Sequence, residues 1–192
     1  SVDERGFEKL MQKQKKKAKE AGRFKKDANE LNWVELSSGE DSEFVGYDTL
    51  YTDAKIRRFA NLDDKILLVL DRTPFYAESG GQVGDAGVIE SSDKQFNVSD
   101  TQLSGDQHLH IGKVSAGVFK SGEAVTAEIN VPQRDRARKN HSATHLMHAA
   151  LRKVLGPHVE QKGSLVNDEK LRFDFSHDGN ITNDELAQIE NM

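Results

Sequence analysis

Apolar side chains follow three patterns along the chain, and each pattern predicts different elements. Residues 3–21 carry a narrow apolar stripe at helical spacing, and Gly22 is placed to end that helix. Residues 30–131 contain short apolar runs separated by glycine turns, which is typical of a small antiparallel barrel or sandwich. From Pro132, a residue suited to the first turn of a helix, helical spacing returns.

The central region contains several short predicted strands. They cover residues 65–71, 87–89, 96–100, 108–114 and 124–131. Short strands joined by glycine turns favour a barrel or sandwich over a parallel βαβ sheet.

The last third of the chain combines helix and hairpin signals. A helix over 132–155 is expected to stop at Gly156-Pro157. Strands over 163–166 and 171–175 flank a turn. Thr182 and Glu185 have capping-box spacing and predict another helix, which Met192 follows closely. We therefore expect the sequence to be a piece of a longer polypeptide.

Composition excludes several classes of protein. The 192 residues are 31% charged and 35% hydrophobic, with a mean hydropathy of -0.70. No apolar run approaches the ~20 residues of a membrane span, and no signal peptide is recognisable. Cysteine is absent, which excludes disulfides and thiolate ligands from this chain. These features predict a cytoplasmic protein without a membrane partner.

Basic residues are concentrated in two patches. Residues 1–26 hold ten Lys or Arg against four acidic residues, a charge of +6 in a chain whose net charge is -5. The second patch comprises Arg134, Arg136, Arg138, Lys139, Arg152 and Lys153. Local basic patches fit contact with a polyanion, but solvated helix faces would give the same pattern.

Two histidines stand one helical turn apart. His141 and His145 would place their rings about 6 Å apart on one helix face, where both could bind one divalent ion such as zinc. The same spacing occurs on ordinary exposed helices. No glutamate completes an H-E-x-x-H motif, and a third ligand would have to be His148, His177 or a carboxylate.

Paired glycines mark the segment 72–85. Glycines permit close backbone approach, so a phosphate or ribose could rest there beside Glu78, Gln82 and Asp85. The segment matches neither a P-loop nor a dinucleotide fingerprint. A tight barrel corner is the alternative explanation.

Four strings together resemble the alanyl-tRNA synthetases and their free-standing relatives that hydrolyse mischarged alanine tRNA. They are R-T-P-F-Y-A-E-S-G-G-Q-V-G-D at 72–85, N-H-S-A-T-H-L-M-H-A-A-L-R-K-V-L-G at 140–156, Q-K-G-S-L-V at 161–166 and R-F-D-F-S-H at 172–177. The lysine-rich first helix is similar to that of the bacterial full-length enzymes. The threonyl-tRNA synthetase editing domain shares the histidine spacing but not the first string.

The resemblance implies an α+β fold with three parts. Residues 1–26 would be a basic linker helix, 27–131 a translation-factor-like antiparallel β-barrel with the glycine-rich motif, and 132–192 the first part of an editing domain of helix and sheet. The family's catalytic domain, which uses ATP and Mg²⁺, is not in this chain. We therefore expect no aminoacylation by it.

The resemblance also assigns roles to individual residues. His141 and His145 would be two of four zinc ligands, since the family supplies the others from a later C-x-x-x-H pair. Pocket residues would be Gln161, Thr144 and Ser164 with Asp174 nearby, beside a loop of Glu78, Gly80, Gly81, Gln82 and Asp85. The partner would be the acceptor end of alanine tRNA, bound by Arg136, Arg138 and Lys139.

Three functional hypotheses follow. The chain is the editing region of a ligase that clears Ser-tRNA and Gly-tRNA for alanine, a truncated free-standing deacylase, or, by itself, an inactive metal-free module that binds tRNA. A truncated editing domain would also leave apolar surface uncovered, which predicts a non-native dimer.

Overall fold

The computed structural model describes residues 6, 8, 10–12, 31–40, 42–120 and 122–192. Residues 6, 8 and 10–12 have helical backbone, as the first apolar stripe predicts. The remainder of the predicted linker helix, including Gly22, lies outside the described residues.

Nine strands precede the first long helix of the described residues. They are β1 Val34–Glu35, β2 Glu43–Phe44, β3 Tyr51–Leu62, β4 Lys65–Leu70, β5 Arg72–Thr73, β6 Gly87–Ser91, β7 Lys94–Ser104, β8 Gln107–Ala116 and β9 Ala124–Ile129. Six of them form a closed antiparallel barrel in the order β3-β4-β8-β7-β6-β9, because β9 also pairs with β3. The short β1 pairs with β3, and β2 pairs with β5 in a separate parallel pair.

The long β3 closes the barrel by pairing in two directions. Its first half pairs with β9, from Tyr51 opposite Glu128 to Lys55 opposite Ala124. Its second half pairs with β4, and the register shifts between Ile56 and Arg58. A β-bulge bends a strand and increases its twist, so this shift lets one strand serve two neighbours.

The barrel core contains large apolar side chains with no solvent exposure. They include Ile56, Leu70, Phe75, Ile89 and Phe96. A second cluster of Leu67, Val69, Leu109 and Ile111 packs against Leu31 and Trp33. Strand β4 contributes to both clusters, which explains why its apolar residues run continuously rather than alternate.

The elements after the barrel agree with the predicted helices and hairpin. Helix α1 (Val131–Leu155) begins after Asn130, whose side chain accepts a hydrogen bond from the Gln133 N–H. Strands β10 (Gln161–Val166) and β11 (Leu171–Phe175) form the hairpin, and helix α2 (Asn183–Glu190) carries the Thr182 capping box. The expected α+β class, with helix, barrel and then helix plus sheet, is confirmed. None of the described helices has the length and apolarity that a membrane crossing requires.

Candidate functional site

The glycine-rich loop joins the barrel to the β10–β11 hairpin. The Val83 N–H donates to the Val166 carbonyl over 3.0 Å, and the Val166 N–H donates to the Gly81 carbonyl over 2.7 Å. Gly81 has a φ of +84°, and a Cβ there would lie 2.0 Å from the Ser164 Oγ. Only glycine allows this approach. The second glycine of the pair is thus explained by contact with the hairpin.

A buried ion pair fixes the end of this loop against helix α1. The Arg134 guanidinium donates to the Asp85 carboxylate and to the carbonyls of Gly46 and Pro74, and both charged side chains are only 7% exposed. The Tyr76 N–H also donates to Asp85, over 2.8 Å. The Asp85 carboxylate is therefore occupied, and Arg134 does not contribute to an exposed basic surface.

His141 and His145 stack on one face of α1. Their ring centroids are 5.1 Å apart and the ring planes differ by 26°. The His141 Nδ1 lies 2.7 Å from the Oε1 of Gln82, which is buried. Within the part of the chain that the structure describes, no group of three or more His, Asp or Glu side chains could hold a metal ion. These residues therefore offer two imidazole ligands, which fits half of a tetrahedral zinc site.

The other histidines considered as ligands have contacts of their own. The His148 ring lies 5.0 Å from the Phe173 ring, and its Nε2 is 3.5 Å from the Val159 carbonyl. The His177 Nδ1 lies 2.9 Å from the Nε2 of His158. Each ring is thus engaged outside the His141–His145 pair.

Three of the predicted pocket residues lie on the hairpin. Gln161 is exposed at the start of β10, followed by a register shift before Gly163. The Ser164 Oγ donates a long hydrogen bond of 3.5 Å to the Gly80 carbonyl. Asp174, on β11, pairs with Arg172 and lies so close to Gly163 that a Cβ there would be 2.9 Å from its Oδ2.

Thr144 and Glu78 differ from these hairpin residues in their surroundings. Thr144 is 4% exposed and its hydroxyl donates to the Asn140 carbonyl one turn earlier in α1. Glu78 is exposed and accepts a hydrogen bond of 2.8 Å from the Gln102 side chain. Thr144 therefore faces the interior, whereas Glu78 lies at the rim of the glycine-rich loop.

A cavity of about 360 Å³ adjoins His141. Its lining includes Tyr47, Tyr76, Gln82 and Arg138. Tyr47 is 84% exposed. Two phenol rings beside a guanidinium offer surfaces for a base and a phosphate.

The predicted tRNA-binding cations lie on the same helix. Arg136 pairs with Asp168 of the hairpin turn over 3.0 Å. Arg138 and Lys139 are exposed, and neither forms an ion pair with another described residue. These two side chains are thus available to an anionic partner.

Comparison with known proteins assigns the part of the chain that contains the barrel and the glycine-rich loop to a family. Residues 1–133 match the family described as tRNA synthetases class II (A). The chain belongs to this family. Over its whole length it is 48% identical to the alanine–tRNA ligase of Francisella philomiragia, in an alignment of 200 residues. The chain spans 23% of the length of that relative.

Sequence reasoning missed three features of this tRNA synthetase chain. Two of them are contacts between segments distant in sequence, namely the Arg134–Asp85 pair and the Gln82–His141 contact. The third is the exposed Tyr47, which lines the cavity together with residues far from it in the sequence. Opposite charges 49 residues apart carry no periodic signal. The glycine-rich string singled out Gln82 and Asp85, and the second basic patch singled out Arg134, but nothing in the sequence indicated their partners.

Proposed function

We propose that the chain is the segment of an alanine–tRNA ligase that contains the barrel and the first part of the editing site, where Ser-tRNA and Gly-tRNA for alanine are hydrolysed. The observation that carries the proposal is the direct contact between three sequence strings. The glycine-rich loop bonds to His141 through Gln82 and to the hairpin through Gly81 and Val166. These strings are the ones in which the resemblance locates an editing site.

The need for editing follows from the small size of alanine. A pocket that accepts alanine cannot strongly reject glycine, or serine with one added hydroxyl, because such differences yield only ~1–3 kcal/mol of discrimination. A second site must then recognise the wrong amino acid after it has been attached. Alanine tRNA would be the substrate, and its acceptor end would enter this site.

Hydroxyl and amide groups are suited to recognise serine. Ser164 and Gln161 lie on one strand of the hairpin and can donate to or accept from the substrate hydroxyl. Thr144 donates its hydroxyl proton to Asn140, so its oxygen remains an acceptor only. The resemblance places Asp174 near the pocket, but it pairs with Gly163 on the other face of the hairpin from Ser164, so we assign it no direct contact with the substrate.

Zinc would be held by His141 and His145 together with ligands from the rest of the ligase. The stacked rings fit this role, and the Gln82 contact at His141 Nδ1 leaves Nε2 for a metal. A bound zinc ion supplies Lewis acidity that polarises a carbonyl or lowers the pKa of water. The chain's own residues orient the ester and exclude bulkier amino acids.

The tRNA end would be held beside the histidine pair. Arg138 and Lys139 would contact phosphates, and Arg136 would do so after release from Asp168. The cavity next to His141 has a volume within the range of small-ligand sites. We propose that it receives the terminal ribose and base, with the ester bond directed toward His141.

Aminoacylation with ATP and Mg²⁺ would take place in another part of the same cytoplasmic ligase. By itself the described chain would bind tRNA without hydrolysing it, because it offers only two zinc ligands. Metal analysis of the purified chain tests this: one tightly bound zinc per chain would contradict it.

The editing proposal is tested with Gln161→His in the ligase that contains this segment. We expect hydrolysis of Ser-tRNA for alanine to slow at least about tenfold, because the side-chain amide of the pocket is replaced by a ring. Gln133→His, on α1, is the matched control and should keep the wild-type rate. Unchanged clearance of serine by the Gln161 variant would contradict the site.

A further inference from the structure

We propose that Gln82 is a positioning residue that holds His141 in the tautomer with the proton on Nδ1, so that Nε2 faces a metal with its lone pair free. The inference rests on the proposed zinc site but concerns a property of the metal-free chain. The glycine-rich loop would thus contribute to the editing site by determining the tautomer of one zinc ligand, His141.

The chemistry of a neutral imidazole requires such a choice. One ring nitrogen carries the proton and the other has the lone pair, and only the latter binds a metal. The amide oxygen of Gln82 lies 2.7 Å from Nδ1 of His141, and as an acceptor it stabilises the form protonated there. Histidine ligands of metals commonly donate their second N–H to a carbonyl or carboxylate in this way.

Burial and hydrogen bonds of the loop restrict the position of Gln82 independently of its contact with the His141 ring. Its side chain is buried, with the residue 5% exposed. Its backbone exchanges hydrogen bonds with Ser79, and the next residue, Val83, donates to Val166 of the hairpin. Asp85, three residues after Gln82, binds Arg134 of α1, the helix that carries His141. The backbone of Gln82 is thus held in place by these bonds, and its buried side chain reaches His141 from a fixed anchor point before any metal arrives.

His145 provides an internal comparison. It stacks on His141, but its ring is exposed and has no hydrogen-bond partner among the described residues. Nothing in the described chain selects its tautomer. Loss of the Gln82 amide should therefore change His141 and leave His145 as it is.

The tautomer is measured by long-range ¹H–¹⁵N NMR of the metal-free chain in alkaline buffer, with His141→Gln used to assign the ring. In the wild type we expect the proton on Nδ1. Gln82→Met keeps the length of the side chain but removes the acceptor, and should move the His141 proton to Nε2. Gln82→Glu restores an acceptor and should restore Nδ1–H, and Gln133→Met should change nothing. A His141 tautomer that is the same in wild type and Gln82→Met would overturn the proposal.

Zinc affinity separates this inference from the proposed function. In the ligase that contains this segment, Gln82→Met should weaken zinc binding by about 10–100-fold, and Gln82→Glu should recover most of it. If the ligase binds zinc and Gln82→Met does not change its zinc affinity, the positioning role is refuted but the zinc site is not. A wild-type ligase without zinc would refute the zinc site, whereas the tautomer result would stand.

Discussion

Arg134 and Asp85 lose nearly all of their hydration on folding. The guanidinium compensates through the carboxylate and two carbonyls, and the carboxylate through the guanidinium and one N–H. Each charge is therefore tolerated only in the presence of the other. The pair connects the glycine-rich loop to the helix with the histidines, so its integrity matters for the geometry of the site.

Replacement of one member of this pair should cost far more than replacement of a surface charge. Asp85→Asn leaves the buried guanidinium without its counter-charge, and we expect the free energy of unfolding to fall by about 3–5 kcal/mol. Asp64→Asn is the control, since Asp64 and its partner Lys113 are mostly exposed, and should destabilise the protein far less. Urea denaturation measures both, and equal losses would contradict the role of the buried pair.

The fully buried His110 should make stability dependent on pH. Burial lowers its pKa to about 4, from 6.5, while its ring contacts the Thr73 hydroxyl and the Leu68 carbonyl. Between these two values the unfolded chain binds a proton that the folded chain does not, so stability falls as the pH falls from 6.5 to 4. This one group contributes at most about 1.4 kcal/mol per pH unit.

His110→Leu removes this titration. We expect a lower stability at pH 7, because the Thr73 hydroxyl loses a partner, but a shallower decline in acid. Denaturant unfolding across this pH range gives the slope. An unchanged slope in the His110 variant would show that another group causes the dependence.

At the scale of elements, local patterns predicted most of the fold. The predicted strands, the α1 helix, the hairpin and the capping box of α2 lie where periodicity and turn residues indicated them. Strand β3 was missed, although it is the longest strand among the described residues. Its register shifts after Ile56, and Arg58 stands where the alternation set by Ala54 and Ile56 would require an apolar residue.

The sequence predicted only those features of the site that depend on residues within a single element. The stacking of His141 and His145 follows from helical spacing alone. The contact of His141 with Gln82 spans 59 residues and depends on how the loop packs against the hairpin and helix. Tertiary contacts of this kind leave no periodic pattern, so sequence reasoning placed Gln82 near the site without its partner.

The paired glycines allow a matched test of the loop–hairpin contact. Gly81→Ala would put a methyl group 2.0 Å from the Ser164 Oγ, whereas Gly80 has no atom within 4 Å of its would-be Cβ. Both have positive φ, so Gly80→Ala should show only the backbone cost of ~1–2 kcal/mol. Gly81→Ala should lose more and should also increase hydrogen exchange at the Val166 N–H. Equal effects would contradict the contact.

Considering the molecule as a whole, helices α1 and α2 each expose an apolar side chain. Leu146 on α1 is 72% exposed and Leu186 on α2 is 43% exposed. We expect the isolated chain to dimerise at high concentration, and Leu146→Lys to weaken the dimer. Sedimentation velocity over a concentration series measures this. A clean monomer at every concentration would contradict the expectation.

We propose above that His141 and His145 are two of the ligands of one zinc ion in a longer ligase. The most direct test is the zinc content per chain of that ligase, purified as wild type and as the double variant His141→Gln, His145→Gln. We expect one zinc per chain in the wild type and its loss from the double variant. A wild type without zinc, or a double variant that keeps its zinc, would contradict the account.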